Sequence, residues 1–263
     1  MSAGGGPPEL DRPRDLGALV RHALGLLAGR PLAFLAVGAA FTVPIQLVVS
    51  GFGLEQLTGR YEEQVEPVEL VVGALTSYVL VTPLVMVGCA LLVVGGTPSP
   101  GRVVLRAVEL STPLLLAAIA AAVGVALGLF LLILPGLYLV VRWFLFPQAV
   151  ALEGRPGAAE ERSPSARSAS TASSWVLEPL RRSGQLIEGF WFRAAGTVMV
   201  ANLLGLVPGV LITVPFQAWA AGVDREWPSL AGAILAETIT APIVAVVATL
   251  LFFDLKARQA QPF

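Results

Sequence analysis

The chain has 263 residues, of which 56% are hydrophobic and only 13% charged, with a mean hydropathy of +0.78. Soluble domains carry about 25% charged residues, so this balance excludes an ordinary globular protein and indicates an integral membrane one. A net charge of −1 says nothing about partners, and the argument passes to where the charges lie along the chain.

Met1 to Asp15 is Gly, Pro and charge. It lacks the basic start and apolar run of a cleavable signal peptide, and residues 1–13 read as a disordered tail. From there to residue 258 the chain reads as one membrane domain, followed by a tail over 259–263. A bilayer core about 30 Å thick needs roughly 20 apolar residues per helix, because each backbone polar group must be satisfied within its own segment. Six segments qualify: 31–53, 67–94, 112–134, 137–153, 194–219 and 229–253. The fourth is the shortest, about 26 Å at 1.5 Å per residue. It is entered through Pro135-Gly136, which reads as a tight turn.

Ahead of each odd-numbered segment lies an amphipathic stretch. Leu16, Leu19, Val20, Ala23, Leu26 and Leu27 recur at helical spacing opposite Arg21 and His22. Arg102 and Arg106 stand one turn apart beside Val103, Val104 and Val108. Leu177, Leu180, Ile187 and Phe190 oppose Arg181, Arg182, Gln185 and Glu188. Such helices lie in a headgroup layer with arginines toward anionic lipid, which makes Arg21, Arg102, Arg106, Arg181 and Arg182 candidate contacts for inner-leaflet lipid or for a membrane protein partner. Residues 155–174, rich in Ser, Ala, Thr and Pro, are too polar to bury anything and read as a flexible cytosolic insertion.

With an even number of segments both termini share a side. That side collects Arg12, Arg14, Arg21, Arg30, Arg102, Arg106, Arg155, Arg162, Arg167, Arg181, Arg182, Arg193, Lys256 and Arg258, against Arg60 and Arg225 on the other. Basic residues beside membrane helices stay cytoplasmic, so both termini are expected inside a bacterial plasma membrane. The fold class is thus all-α and integral membrane: six transmembrane helices arranged as three repeats of amphipathic helix plus transmembrane hairpin. Pro83, Pro147 and Pro242, near the middle of each even-numbered segment, support the triplication.

Two charges fall inside membrane segments, Arg142 and Glu237. Intramembrane charge is costly and normally finds a partner in the bundle. Counting back five residues from each mid-segment proline gives Tyr78, Arg142 and Glu237, which a threefold axis would bring together as a polar cluster. Three readings stand side by side for it: a packing lock, a solute or proton site, and an Arg142 that snorkels to the surface. Rows of small residues, Ala120, Gly124 and Gly128, then Ala201, Gly205 and Gly209, are expected to pack helices closely.

Nothing indicates catalysis. There is no HExxH, Gly-x-Ser-x-Gly or Walker loop. One cysteine, Cys89, and one histidine, His22, make neither a disulfide nor a metal centre, so no cofactor is expected. No basic-aromatic face points to nucleic acid.

Pro135-Gly136-Leu137-Tyr138, Val141-Arg142-Trp143, Glu153-Gly154, Leu180-Arg181-Arg182-Ser183, Glu188-Gly189 with Trp191, and Phe253-Asp254-Leu255-Lys256-Ala257-Arg258 follow one another in a recognisable order. They resemble the actinobacterial multi-pass membrane proteins of the glycerophosphoryl diester phosphodiesterase membrane domain type, similar also to YciC-like membrane proteins. The likeness covers residues 14 to 258, and arginine at all but one of the 17 basic positions fits a GC-rich genome. What the resemblance implies is a helical membrane unit that in some relatives accompanies a phosphodiesterase domain; no such domain is expected in this chain. The expected function is a non-enzymatic scaffold or accessory subunit. The alternative is a small-solute or lipid transporter using Arg142 and Glu237.

Overall fold

A computed structural model describes residues 10, 12–49, 60–61, 67–95, 99–153 and 172–260. Most of the Ser-rich insertion, and most of the loop between the first two apolar segments, lie outside the described residues. Residues 172–174, which the sequence assigns to the insertion, are helical.

Helix α1 (Leu16–Gly29) begins where Asp15, in extended backbone, accepts from the Ala18 N–H at 3.3 Å. That bond satisfies one of the donors a helix start leaves unpaired. The chain breaks at Arg30, and Pro31 opens α2 (Pro31–Val49), the helix position where a missing N–H costs nothing. Next come α3 (Pro67–Leu75), a π-helical turn (Thr76–Val81) and α4 (Thr82–Val94). Pro83 has no N–H to give and crowds the turn before it; the widened turn takes up the strain, with Thr82 N–H reaching back to Ser77 O. The amphipathic α5 (Pro100–Glu109) leads into α6 (Ser111–Leu131), α7 (Ile133–Trp143) and α8 (Phe146–Leu152). The amphipathic α9 (Ala172–Ile187) precedes α10 (Trp191–Val223) and α11 (Trp227–Gln259).

Every element among the described residues is helical. Six stretches are long and apolar enough to cross a membrane: Pro31–Val49, Val71–Val94, Ser111–Leu131, Ile133–Leu152, Trp191–Val223 and Trp227–Gln259. The fourth differs from its expected form in two ways. Pro135-Gly136 is no turn but lies inside α7, and the reversal is made by Leu132 alone, the one extended residue between α6 and α7. The stretch is also two helices, parted at Phe144 and Leu145 just before Pro147. Pro242, by contrast, sits within an unbroken α11.

Helix α11 is the post around which the others stand. Every residue from Ala245 to Leu255 is buried, as is α4 from Pro83 to Ala90. Helix α2 is pressed between these two. A Cβ on Gly38 would lie 2.6 Å from the Thr238 carbonyl, and one on Gly88 would lie 2.5 Å from Val37, so neither contact admits a larger residue. The small-residue rows do pack within the bundle. Gly205 and Gly209 lie against Thr240 of the antiparallel α11, Gly124 carries the ring of Trp143, and Gly128 meets the backbone of Gly136.

The two ends of the chain come together. Arg14 bonds to Asp254, and we call the side where they meet the terminal face. The tail expected over residues 1–13 is anchored at Leu10, 5% exposed, whose carbonyl accepts from the Arg14 side chain at 3.0 Å. On the opposite face Arg60 lies 3.5 Å from Asp224, joining the first loop to the α10–α11 turn.

Candidate functional site

Tyr78, Arg142 and Glu237 are not brought together. Tyr78, on the π-turn, points outward and is 72% exposed. Glu237 accepts a 2.6 Å hydrogen bond from the Gln46 amide of α2. Arg142 donates to the Tyr138 hydroxyl one turn earlier at 2.7 Å, with its guanidinium carbon 5.7 Å from that ring's centre. The other side of that guanidinium packs on Gly184 of α9, where an added Cβ would come within 3.0 Å of Nε. Arg142 therefore belongs with α9 near the terminal face, while Glu237 stands about 25 Å along α11 from Asp254. The equal counts fail because the three prolines sit on different backbones: after a π-helical turn, after a break between helices, and within a continuous helix.

The main polar construction is one the residue-by-residue reading passed over. Asp254, fully buried in α11, has both carboxylate oxygens engaged. The Arg14 backbone N–H donates to Oδ1 at 2.6 Å, Arg193 Nε donates to Oδ2 at 2.8 Å, and Arg258 Nε reaches both at 3.2–3.3 Å. The same two guanidiniums each donate from Nη2 to the Arg14 carbonyl. One residue of the N-terminal strap is thus held through both its backbone groups by the start of α10 and the end of α11. A buried carboxylate is tolerated only when paired and fully hydrogen-bonded, and here every lone pair facing the protein is used. The arrangement holds helices; it presents no free base.

A second cluster stands beside it. Glu153, at the end of α8, takes a forked contact from Arg182 of α9 at 2.5 and 2.9 Å and lies 3.7 Å from Lys256 of α11. The Glu153 hydrogen bond holds the Arg182 guanidinium above its ordinary pKa. Gln259 closes the set, donating to the Gln185 and Leu186 carbonyls at the end of α9, groups that a helix C-terminus leaves unpaired. Between these clusters the Ser183 hydroxyl bridges the break in the fourth stretch, accepting from Leu145 N–H at 3.2 Å and donating to the Arg142 carbonyl at 2.8 Å.

Of the five arginines proposed to meet lipid or a partner, Arg21, Arg102 and Arg181 are exposed. Arg106 is exposed and pairs with Glu109 on its own helix. Arg182 is engaged by Glu153, with 34% of its side chain exposed. Among the described residues no group of three His, Cys, Asp or Glu side chains is placed to hold a metal. A cleft of about 550 Å³ on the opposite face is lined by Tyr61, Val214, Gln217, Ala218, Ala221 and Asp224.

The signals for the missed groups were present but weak. Asp254 is the one carboxylate adjoining the apolar run that ends at Phe253, with Arg258 one turn on. Gln46 is the one amide of its segment. Ser183 had no signal, since its partner is a backbone break that sequence does not mark. No protein-family model matches the chain, and comparison with curated proteins and with solved structures returns no match.

Proposed function

We propose that this chain is a non-enzymatic protein of a bacterial plasma membrane, a scaffold or accessory subunit whose terminal face is cytoplasmic. The observation that carries this reading is the use made of charge. Asp254 and Glu153 are tied to the arginines and lysine of neighbouring helices, so the terminal face is a fixed platform. The arginines left outward on α1, α5 and α9, namely Arg21, Arg102 and Arg181, are of the sign that anionic headgroups or an acidic partner surface would meet. The arginine bias along the sequence supports a cytoplasmic position for that platform.

The resemblance to the glycerophosphoryl diester phosphodiesterase membrane domain fits the same view. Its motifs include Arg142, Arg182, Ser183, Trp191, Asp254 and Arg258, and five of these make the helix-to-helix contacts described above, with Arg258 completing the Asp254 cluster. Such motifs mark a way of assembling helices, not a reaction. The transporter alternative relied on Arg142 and Glu237 sharing a site, and their separate contacts remove its geometric basis.

Co-purification from native membranes in mild detergent, with mass spectrometry of what is retained, tests the proposal. A stoichiometric protein partner should accompany the wild type and be lost when Arg102 and Arg181 are both replaced by Glu at unchanged abundance. If instead the purified chain alone moves a solute or lipid across vesicles, and Arg142→Gln abolishes that at unchanged abundance, the scaffold reading fails.

A further inference from the structure

The α6–α7 hairpin ends in a tip unlike the other two turns. Phe130, Leu131, Leu132, Ile133 and Leu134 are consecutive, large, apolar and 67–88% exposed. From Pro113 to Leu137 no side chain is polar. The turn between α10 and α11, in contrast, is Asp224-Arg225-Glu226, and the first loop carries Glu55, Arg60, Glu62, Glu63 and Glu66. A tip that met water would expose this surface to it, and a tip that met headgroups would offer them no partner.

Its position is fixed by the base of the hairpin. Trp191 Nε1 donates to the Tyr138 carbonyl at 3.5 Å and the two rings stack at 5.9 Å. That places the Tyr138 and Trp191 Cα atoms within about 11 Å of each other. Leu132 is about 9 Å further along α7, so the tip lies no more than about 20 Å from the start of α10. Helix α10, at 33 residues, runs about 50 Å to the opposite face. Tilted as far as 40° it still rises about 37 Å, so the tip stops short of the α10–α11 turn by roughly 17 Å or more. Trp191 begins α10 two residues before Arg193 and the Asp254 cluster, which sets its level at the terminal face.

We infer that α6 and α7 do not cross the membrane: they form a re-entrant hairpin that enters from the terminal face and turns back inside the hydrocarbon, its tip covered by acyl chains. The turn keeps its irregular backbone to a minimum. Lipid-exposed irregular backbone is excluded from a bilayer core, and here the non-helical backbone is one residue whose own groups are both used, Leu132 N–H to the Gly128 carbonyl and Leu132 carbonyl to the Gly136 N–H. Pro135, in the first turn of α7, has no N–H to leave unpaired. The close approach of Gly128 to Gly136 allows so tight a reversal. The hairpin also accounts for Arg142, whose position at its base, against α9, spares the charge from the membrane interior.

The inference is independent of what the protein does, and depth can be measured directly. The full chain carrying Cys89→Ala, with a single spin label at Leu132→Cys, is reconstituted in phosphatidylcholine and phosphatidylglycerol vesicles. A label at Asp224→Cys serves as the aqueous reference. Power saturation should find Leu132 open to oxygen and closed to a nickel chelate, near the bilayer centre, about 15 Å from either headgroup layer. Nickel access equal to that at Asp224 would overturn the proposal, because the tip would then emerge. Low access to both reagents would also overturn it, since protein and not lipid would then cover the tip. As a second reading, Leu132→Arg should lower membrane-inserted protein while Asp224→Arg does not; equal abundance of the two would count against a hydrocarbon setting.

Discussion

Asp254 shows how one residue can matter more than its neighbours without doing chemistry. Asp254→Asn keeps the shape but leaves Arg193 and Arg258 facing each other across the Arg14 carbonyl with no counter-charge. Breaking a buried pair costs about 3–5 kcal/mol, and the lower end applies because the two guanidiniums keep 25% and 29% of their surface exposed. Thermal unfolding in detergent should register that loss, and Asp254→Asn with Arg193→Met should recover part of it. Gln148 presents the opposite case. It is fully buried on α8 with neither amide atom bonded, a situation that costs about 1–3 kcal/mol. Gln148→Leu is expected to raise stability in the same assay; a fall would reveal a bound water or ligand that the amide serves. Arg142 and Glu237 should behave as strangers. Their double-mutant cycle with Gln at both positions should show coupling below about 0.5 kcal/mol, the limit for distant sites. The Arg182–Glu153 contact adds little by itself, about 1 kcal/mol at most for a half-open pair. Because Arg182 is raised above its ordinary pKa, the guanidinium's contribution stays in place across neutral pH and is lost as pH rises into strong alkali.

At the scale of elements, apolar length and amphipathic spacing were legible because they are local. The six apolar stretches and the helices carrying Arg21, Arg102 and Arg181 all appear where side-chain periodicity put them, with ends shifted by a few residues. Reversal points were not legible. Pro135-Gly136 has the composition of a turn, yet both residues fit the first turn of a helix, and Leu132 has no turn-forming chemistry at all. The Tyr78, Arg142 and Glu237 cluster was not legible either, because three equal counts from three prolines assume three equal backbones. The prolines sit after a π-turn, after a break and within a continuous helix. Two substitutions separate these elements. Ser183→Ala should cost about 1–3 kcal/mol by leaving the Leu145 N–H buried and unpaired. Gly136→Ala should cost a similar 1–3 kcal/mol, since its Cβ would sit 2.7 Å from the Leu129 backbone nitrogen and force α6 and α7 apart. Circular dichroism with thermal melting of each variant checks both values.

Taken whole, the molecule has two unequal ends. The terminal face gathers α1, α5, α8, α9 and the ends of α10 and α11 with the two ionic clusters, while the opposite face has the exposed Arg60–Asp224 contact. The bond from Arg14 to Asp254 joins residues 240 apart in sequence. A ribosome therefore releases the strap and α1 long before their seat exists. Until α11 has been threaded and its carboxylate exposed to Arg193, the first helix has nowhere to dock. Nascent chains stopped before Asp254 should leave α1 open to protease, and chains released after Arg258 should protect it. Completion of α11 is thereby recorded at the first helix, some 240 residues earlier in the chain.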